Sequence, residues 1–413
     1  MRLLLIPVLA LALCANAEQS SPSSTHMSDP KIIARVREIL KESPLIDGHN
    51  DLPWQFRKHS NALERVDIST IDLTKDTSKV ELVTDFPRLR AGGLGGQFWS
   101  VYIPPEMTGC SGVQAVLEQI DVVHRLIAKY PEQLELALTA DDVERIFRKG
   151  KIASLIGMEG GHSLDNSLAT LRMTYRLGAR YMTLTHTKNI DWADAATDKP
   201  LHHGLTKFGE EVVHEMNRLG MLVDISHVSE ETMVAALKVS KAPVIFSHSN
   251  ARALCDHVRN ASDDVLKLLA KNNGVIMVNF YPEYLIDSNK QWYRDEHREK
   301  KRLQETIKDD DKLDAALAEW RKRNPEPTHA TIGDVANHID HICKVAGVDH
   351  VGIGSDFEGF DGPPVGLEDV STYPALLAEL VARGHSEDDI KKIAGLNVLR
   401  VLRDAEKVAK GMQ

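Results

Sequence analysis

An α/β fold, a TIM-like (β/α)8 barrel, is predicted by three observations. A short apolar run rich in β-branched residues recurs eight times, most of the runs are separated by enough chain for a helix, and the runs deliver polar or ionisable residues at their carboxyl ends. Functional groups at that end of parallel strands mark the catalytic face of a barrel. In order, the runs are PLIDGHND (44–51), GGQFWSVYI (95–103), ASLIGMEGG (153–161), ARYMTLTH (179–186), GMLVDISH (220–227), APVIFSHS (242–249), GVIMVNFY (274–281) and HVGIGSDF (350–357).

Ahead of the first run, Asp29-Pro30 is an N-cap followed by a first-turn proline, so a helix is expected to start there. The first run carries His49 and Asp51, two residues apart and therefore on one face of a strand. Gly92-Gly93 and Gly95-Gly96 before the second run imply a close approach of the chain. Glu159 ends the third run against Gly160-Gly161, and His186 ends the fourth. The fifth and sixth runs end in the near-repeats DISH and IFSH, placing His227 and His248, each after a serine. Tyr281 closes the seventh run and Asp356 the eighth.

Between residues 287 and 328 the sequence turns charge-dense and ends at Pro325 and Pro327, which reads as a solvent-facing helical insertion after the seventh strand. One barrel with that insertion accounts for most of the 413 residues, so residues 44–413 are expected to form one domain. A hydrophobic fraction of 42% suits a large core, and a net charge of −10 argues against nucleic acid as a partner.

Arg2, an apolar stretch over residues 3–13 and Ala15-Asn16-Ala17 read as an export signal cleaved after Ala17, which implies a periplasmic or secreted protein. A lipoprotein anchored at Cys14 is disfavoured by the bulky Leu13 before it. Residues 18–43 are expected to hold a flexible Ser- and Pro-rich segment and the first helix, and no later run has the length of a membrane span. Cys110, Cys255 and Cys343 are too few and too scattered for a disulfide framework or a zinc-thiolate site.

A buried glutamate at the end of an apolar strand needs a cation beside it, and imidazoles from adjacent strands can share an ion. His49, Asp51, Glu159, His227 and His248 are one ligand too many for a closed tetrahedral site, so two ions are expected. His49, Asp51 and Glu159 are assigned to the first, with Glu159, His227 and His248 on the second. Nitrogen and oxygen ligands without thiolate suit zinc. Two such ions would polarise a carbonyl and acidify a shared water, making this a metal-dependent hydrolase barrel. Asp356 is the candidate proton acceptor, and His186 the candidate donor to a developing oxyanion. His202, His203, His338 and His341 are expected at the surface.

Together IDGHNDLPW, GMEGGHSL, MTLTHTKNIDWAD, DISHVS, FSHSNAR, VIMVNFY and GIGSDFEG resemble the renal or membrane dipeptidase family of dinuclear zinc metallopeptidases, from about residue 44 to 400. The resemblance implies a barrel that cleaves dipeptides with free termini, with the same five ligands bridged by Glu159 and a homodimeric state. It also implies that His186 polarises the substrate, that Arg259 in CDHVRN holds the substrate carboxylate, and that Asp356 is the general acid/base, with Tyr281 also against the substrate. Composition alone reads Arg259 as a surface charge. Lys188 and Asp287 stand where animal members carry cysteines, so the disulfides expected for Cys110 and Cys255 cannot form. The expected function is an exported zinc dipeptidase acting on L,L and possibly L,D dipeptides through a metal-bridging hydroxide. The alternatives are a hydrolase of a lactone, cyclic amide or β-lactam on the same metals, and a silent binding protein.

Overall fold

The structure is a computed structural model that describes residues 29–58, 67–307 and 309–412. The export signal expected over residues 1–17, and the polar stretch after it, lie outside the described residues. Among the described residues no helix is long and apolar enough to cross a membrane.

Nine parallel strands form one sheet: β1 (Leu45–Asn50), β2 (Leu94–Tyr102), β3 (Leu134–Leu136), β4 (Ile152–Glu159), β5 (Ala179–Thr183), β6 (Leu222–Asp224), β7 (Ile245–Phe246), β8 (Val275–Val278) and β9 (Val351–Ile353). Eight of them close a barrel, because β2 pairs with both β1 and β4 and β1 pairs with β9. The ninth, β3, lies beside the first half of β4, with Leu134 opposite Ile152. It is absent from the sequence reading because three residues carry too little periodicity to register. Burial on both faces explains the near-continuous apolar runs of the barrel strands.

The strands are shorter than the runs that predict them. β5 stops at Thr183, β6 at Asp224 and β7 at Phe246, so His186, His227 and His248 lie two or three residues beyond the ladder. His227 and Asp356 adopt left-handed backbone at φ 64° and 65°, a conformation that ends a strand and costs a non-glycine residue about 1–3 kcal/mol. Ser and Thr N-caps start the surrounding helices: Thr139, Ser167, Thr206, Ser229 and Ser262 each accept a backbone N–H from the first turn. The helix Asn397–Gly411 packs Val398, Leu402 and Ala405 into one cluster with Ile46, Phe98, Leu155 and Met277.

The charge-dense segment forms two helices, Lys290–Thr306 and Asp310–Arg323, which bury only Tyr293, Glu296, Leu313 and Leu317 among their described side chains. His338, expected at the surface, is fully buried on the helix Ile332–Ala346. Its Nδ1 accepts the Ala251 N–H at 3.1 Å and its Nε2 lies 3.1 Å from the Leu285 carbonyl, tying together the loops after β7 and β8. That helix buries Val335, Ala336, Ile339 and Ile342 beside it, so the histidine goes inward with the apolar face.

Asp47 joins the two strands that close the barrel. Its carboxylate accepts the Ser355 N–H and hydroxyl, both at 2.7 Å, Gln97 Nε2 at 3.0 Å and the Tyr373 hydroxyl at 2.9 Å. Burial pushes its pKa up against those hydrogen bonds, chiefly from Ser355. Asp47→Ala would strand four buried donors and should lower unfolding free energy by about 2–4 kcal/mol, measured by urea denaturation.

Candidate metal centre

The carboxyl ends of β1 and β4, which carry His49 and Glu159, and the segments just after β1, β6 and β7, which carry Asp51, His227 and His248, bring five side chains to one point at the barrel mouth. His49 Nε2 lies 3.3 Å from Asp51 Oδ2 and 3.5 Å from Glu159 Oε2. On the other side of the same carboxylate, Glu159 Oε1 is 3.0 Å from His227 Nε2 and 3.6 Å from His248 Nε2. The residues therefore fall into two groups that share Glu159: His49, Asp51 and Glu159, and Glu159, His227 and His248. A third grouping, His49 with His248 and Asp356, overlaps them.

These distances fit a metal. Ligand atoms bonded at 2.0–2.2 Å in a tetrahedron stand roughly 3.3–3.6 Å apart, as three of these four pairs do, with His227 and Glu159 somewhat closer. His227 Nε2 and His248 Nε2 are closer, at 2.8 Å, and share one proton as a hydrogen bond that a cation would replace. His49 Nε2 and Asp51 Oδ1 are buried without any hydrogen-bond partner, each beside the shared carboxylate.

The tautomers follow from the surrounding network. Tyr181 OH donates to the Gly48 carbonyl at 3.2 Å, so it accepts from His49 Nδ1 at 2.8 Å and turns His49 Nε2 toward the carboxylates. Ser247 Oγ donates to Asp224 Oδ2 at 2.6 Å, so it accepts from His248 Nδ1 at 2.8 Å with the same result. Asp224 is itself fixed by Thr183 Oγ1 at 2.5 Å and by the N–H groups of Ser226 and Ser247 at 3.0 and 2.9 Å. These supports are absent from the strand-end reading. A tyrosine inside a barrel and a DxSH pattern are the signals that mark them, since a buried hydroxyl or carboxylate must have partners.

Electrostatics divides the histidines. Burial drives His227 and His248 well below their usual pKa, with Arg259 next for the first and His49 for the second, so both are neutral and keep a lone pair. His49 goes the other way: burial opposes its charge, but Tyr181, Glu159 and Asp51 outweigh it and hold a proton where a cation would sit. Glu159 is held well below the carboxylate range, because His49 and His186 outweigh its burial.

His186 Nε2 lies 3.6 Å from Glu159 Oε1, and burial lowers its pKa, so it stands neutral at the edge of the cluster. Asp356 Oδ1 is 4.0 Å from His49 Nε2, while its Oδ2 accepts Asn279 Nδ2 at 2.8 Å. Burial, opposed by His49, raises the Asp356 pKa to about 8. Gly359 lets the chain fold back here, because a Cβ would meet Asp51 Oδ2 at 2.5 Å and Asp356 Oδ1 at 2.6 Å.

Arg259 overturns its composition-based reading, being only 1% exposed. Its Nη1 donates to Ser249 Oγ at 3.1 Å and its Nη2 to the His248 carbonyl at 3.2 Å, but Nε has no partner. No carboxylate among the described residues lies within 4.0 Å of the guanidinium. Tyr281 packs against Tyr284 at 4.8 Å and Phe360 at 5.2 Å, forming an aromatic wall between the Arg259 and Asp356 loops. Cys110, Cys255 and Cys343 are all free thiols, and Lys188 instead pairs with Glu106 at 2.8 Å.

Residues 33–413 match the family model of membrane dipeptidases, peptidase family M19. Among solved structures, the chain is similar to the probable dipeptidase PvdM from Pseudomonas aeruginosa, at 27% identity and a TM-score of 0.78 over 92% of this chain and 99% of that one. It shares its fold with dipeptidase AC, a metallopeptidase (22% identity, TM-score 0.72, 88% and 98% covered). The same holds for a metallopeptidase from Rhodobacter sphaeroides liganded with a phosphinate mimic of L-Ala-D-Ala (23% identity, TM-score 0.69, 88% and 99% covered).

Tyr181→Phe keeps the ring but removes the acceptor for His49 Nδ1. It should weaken metal affinity about 10–100-fold, read by chelator competition. A carboxyl whose pKa is raised by folding contributes its stability in full below the ordinary 3.8 and loses it as pH rises through about 8. In metal-free protein, therefore, the unfolding free energy relative to Asp356→Asn should fall across that window, with the variant flatter by calorimetry.

Proposed function

Because this chain belongs to the membrane dipeptidase family and is a metallo-dipeptidase, we propose that it hydrolyses dipeptides bearing a free carboxylate at a two-zinc centre held by His49, Asp51, Glu159, His227 and His248. The observation that carries the reading is the junction of two parts. Two ligand groups share Glu159, and a buried arginine without an anionic partner adjoins one of them through the His248 carbonyl.

Bound zinc supplies a water acidified enough to attack near neutral pH and a Lewis acid to polarise the scissile carbonyl. The chain's own groups do the rest. Arg259 receives the substrate carboxylate, where its free Nε and planar fork suit a two-point contact. That requirement selects dipeptides over longer chains. Neutral His186 donates a hydrogen bond to the oxyanion as it forms. Asp356, with one oxygen held by Asn279 and the other facing the cluster, accepts the proton of the attacking water and returns it to the leaving amine. Tyr281 lines the wall along which the substrate lies. The L-Ala-D-Ala mimic held by the Rhodobacter sphaeroides relative supports acceptance of a D-residue at the second position.

Residues 1–17 are read as the export signal, residues 18–43 as a flexible lead-in with the first helix, and residues 44–413 as the peptidase barrel with its insertion at 287–328. The protein would then act in the periplasm or outside the cell, as a homodimer.

A panel of L,L and L,D dipeptides tests the reading. Turnover should vanish after chelation and return with zinc, whereas activity surviving in rigorously metal-free protein would reject it. Arg259→Ala should raise KM for free-carboxylate dipeptides by about tenfold or more while sparing their amides; equal effects on both would favour a lactone or cyclic-amide hydrolase. Asp356→Asn should lower kcat by about 10²–10⁴.

A further inference from the structure

The inserted helix Lys290–Thr306 buries two side chains, and one of them, Tyr293, points toward the carboxylate end of the site. The Tyr293 ring meets Tyr281 edge-on at 5.9 Å, and its hydroxyl donates to Glu326 Oε1 at 2.9 Å. Tyr281 in turn contacts Tyr284 at 4.8 Å, and the Arg259 guanidinium lies over the Tyr284 ring at 5.3 Å.

A second route joins the same helix to the same arginine. The Arg259 N–H donates to His257 Nδ1 at 3.2 Å. With that nitrogen accepting, a neutral His257 carries its proton on Nε2, which lies 3.6 Å from Glu283 Oε1. The other oxygen of Glu283 is 3.5 Å from His297 Nε2 on the inserted helix. Glu283 is buried and His297 is 54% exposed, so a half-open histidine joins His257 and Tyr281 as a partner of a buried carboxylate. Arg259 needs such support, because apart from the Tyr284 side chain its guanidinium is held by one hydroxyl and one backbone carbonyl, with no carboxylate among the described residues beside it. Small displacements of substrate-positioning groups are expensive in rate and affinity.

We propose that the inserted helix is the outer support of the substrate-carboxylate pocket, with Tyr293 acting through Tyr281 and Tyr284, and His297 acting through Glu283 and His257, to hold Arg259 in register. Both are positioning residues, and the inference rests on Arg259 being the carboxylate-binding group. The insertion thereby sets how strongly the enzyme demands a free carboxylate.

The test uses the zinc-loaded full chain, an L,L-dipeptide and its carboxamide, and the Kd of a phosphinate mimic of an alanine dipeptide. His297→Ala and Tyr293→Ala should each raise KM and Kd for the free-carboxylate ligands about three- to tenfold, with kcat within about twofold and the amide little changed. Arg298→Ala, on the exposed side of the same helix, should behave as wild type. Unchanged KM and Kd in His297→Ala and in folded Tyr293→Ala overturn the proposal, as does a loss falling equally on the amide. If Tyr293→Ala fails to fold, His297→Ala decides alone. If Arg259→Ala itself spares KM, the carboxylate-binding reading fails and takes this one with it; if only the support variants spare KM, this one fails alone.

Discussion

One buried carboxylate organises the active end of the barrel. Glu159 has His49 against one of its oxygens and His186, His227 and His248 around the other, with no lysine or arginine in its place as a fixed counter-charge. A carboxylate removed from water at this depth must be neutralised by protonation or by a cation. Here His49 and His186 outweigh burial and keep it ionised, and the Nε2 atoms of four imidazoles face it. A pair of divalent ions would satisfy both demands at once, and the two candidate ligand groups lie on either side of this residue.

The scaffold's contribution is to orient those nitrogens. Tyr181 fixes His49 and the Asp224–Ser247 relay fixes His248, so each ring turns Nε2 toward the shared carboxylate, where a cation would take the place of the proton that His49 holds. The left-handed backbone at His227 and Asp356 is the strain that remains, concentrated where side chains must leave the strand direction to converge. Asp47 carries the tension of closure lower in the barrel, cross-linking β1 to the loop after β9, from which Asp356 projects.

The residues proposed to select the substrate lie outside the barrel's regular part. Arg259, Tyr281 and Tyr284 belong to the loops after β7 and β8, and these loops are braced by His338 from one side and by the inserted helices from the other. Under the proposed function, the metal ligands and the carboxylate-binding arginine would therefore have separate supports. Arg321 at the end of the insertion also reaches Asp361 at 3.3 Å, next to Phe360 in the Asp356 loop.

The sequence by itself determined the barrel and the residues at its strand ends, because alternation of apolar runs with helical spacers leaves one economical parallel closure and puts run-terminal groups on one face. His49, Asp51, Glu159, His186, His227, His248 and Asp356 were legible for that reason. Arg259 was legible only through resemblance: it sits 11 residues past His248 in a loop with no periodicity, and its burial exists only once the loops fold over it. His338 was misread, since a histidine beside an apolar helix face goes inward only if two backbone groups from distant loops meet it. The same holds for Asp47 with Ser355, Tyr181 with His49 and Asn279 with Asp356. Each is a hydrogen bond between residues far apart in the chain, and only tertiary structure decides such pairs, because a polar side chain does not encode its partner.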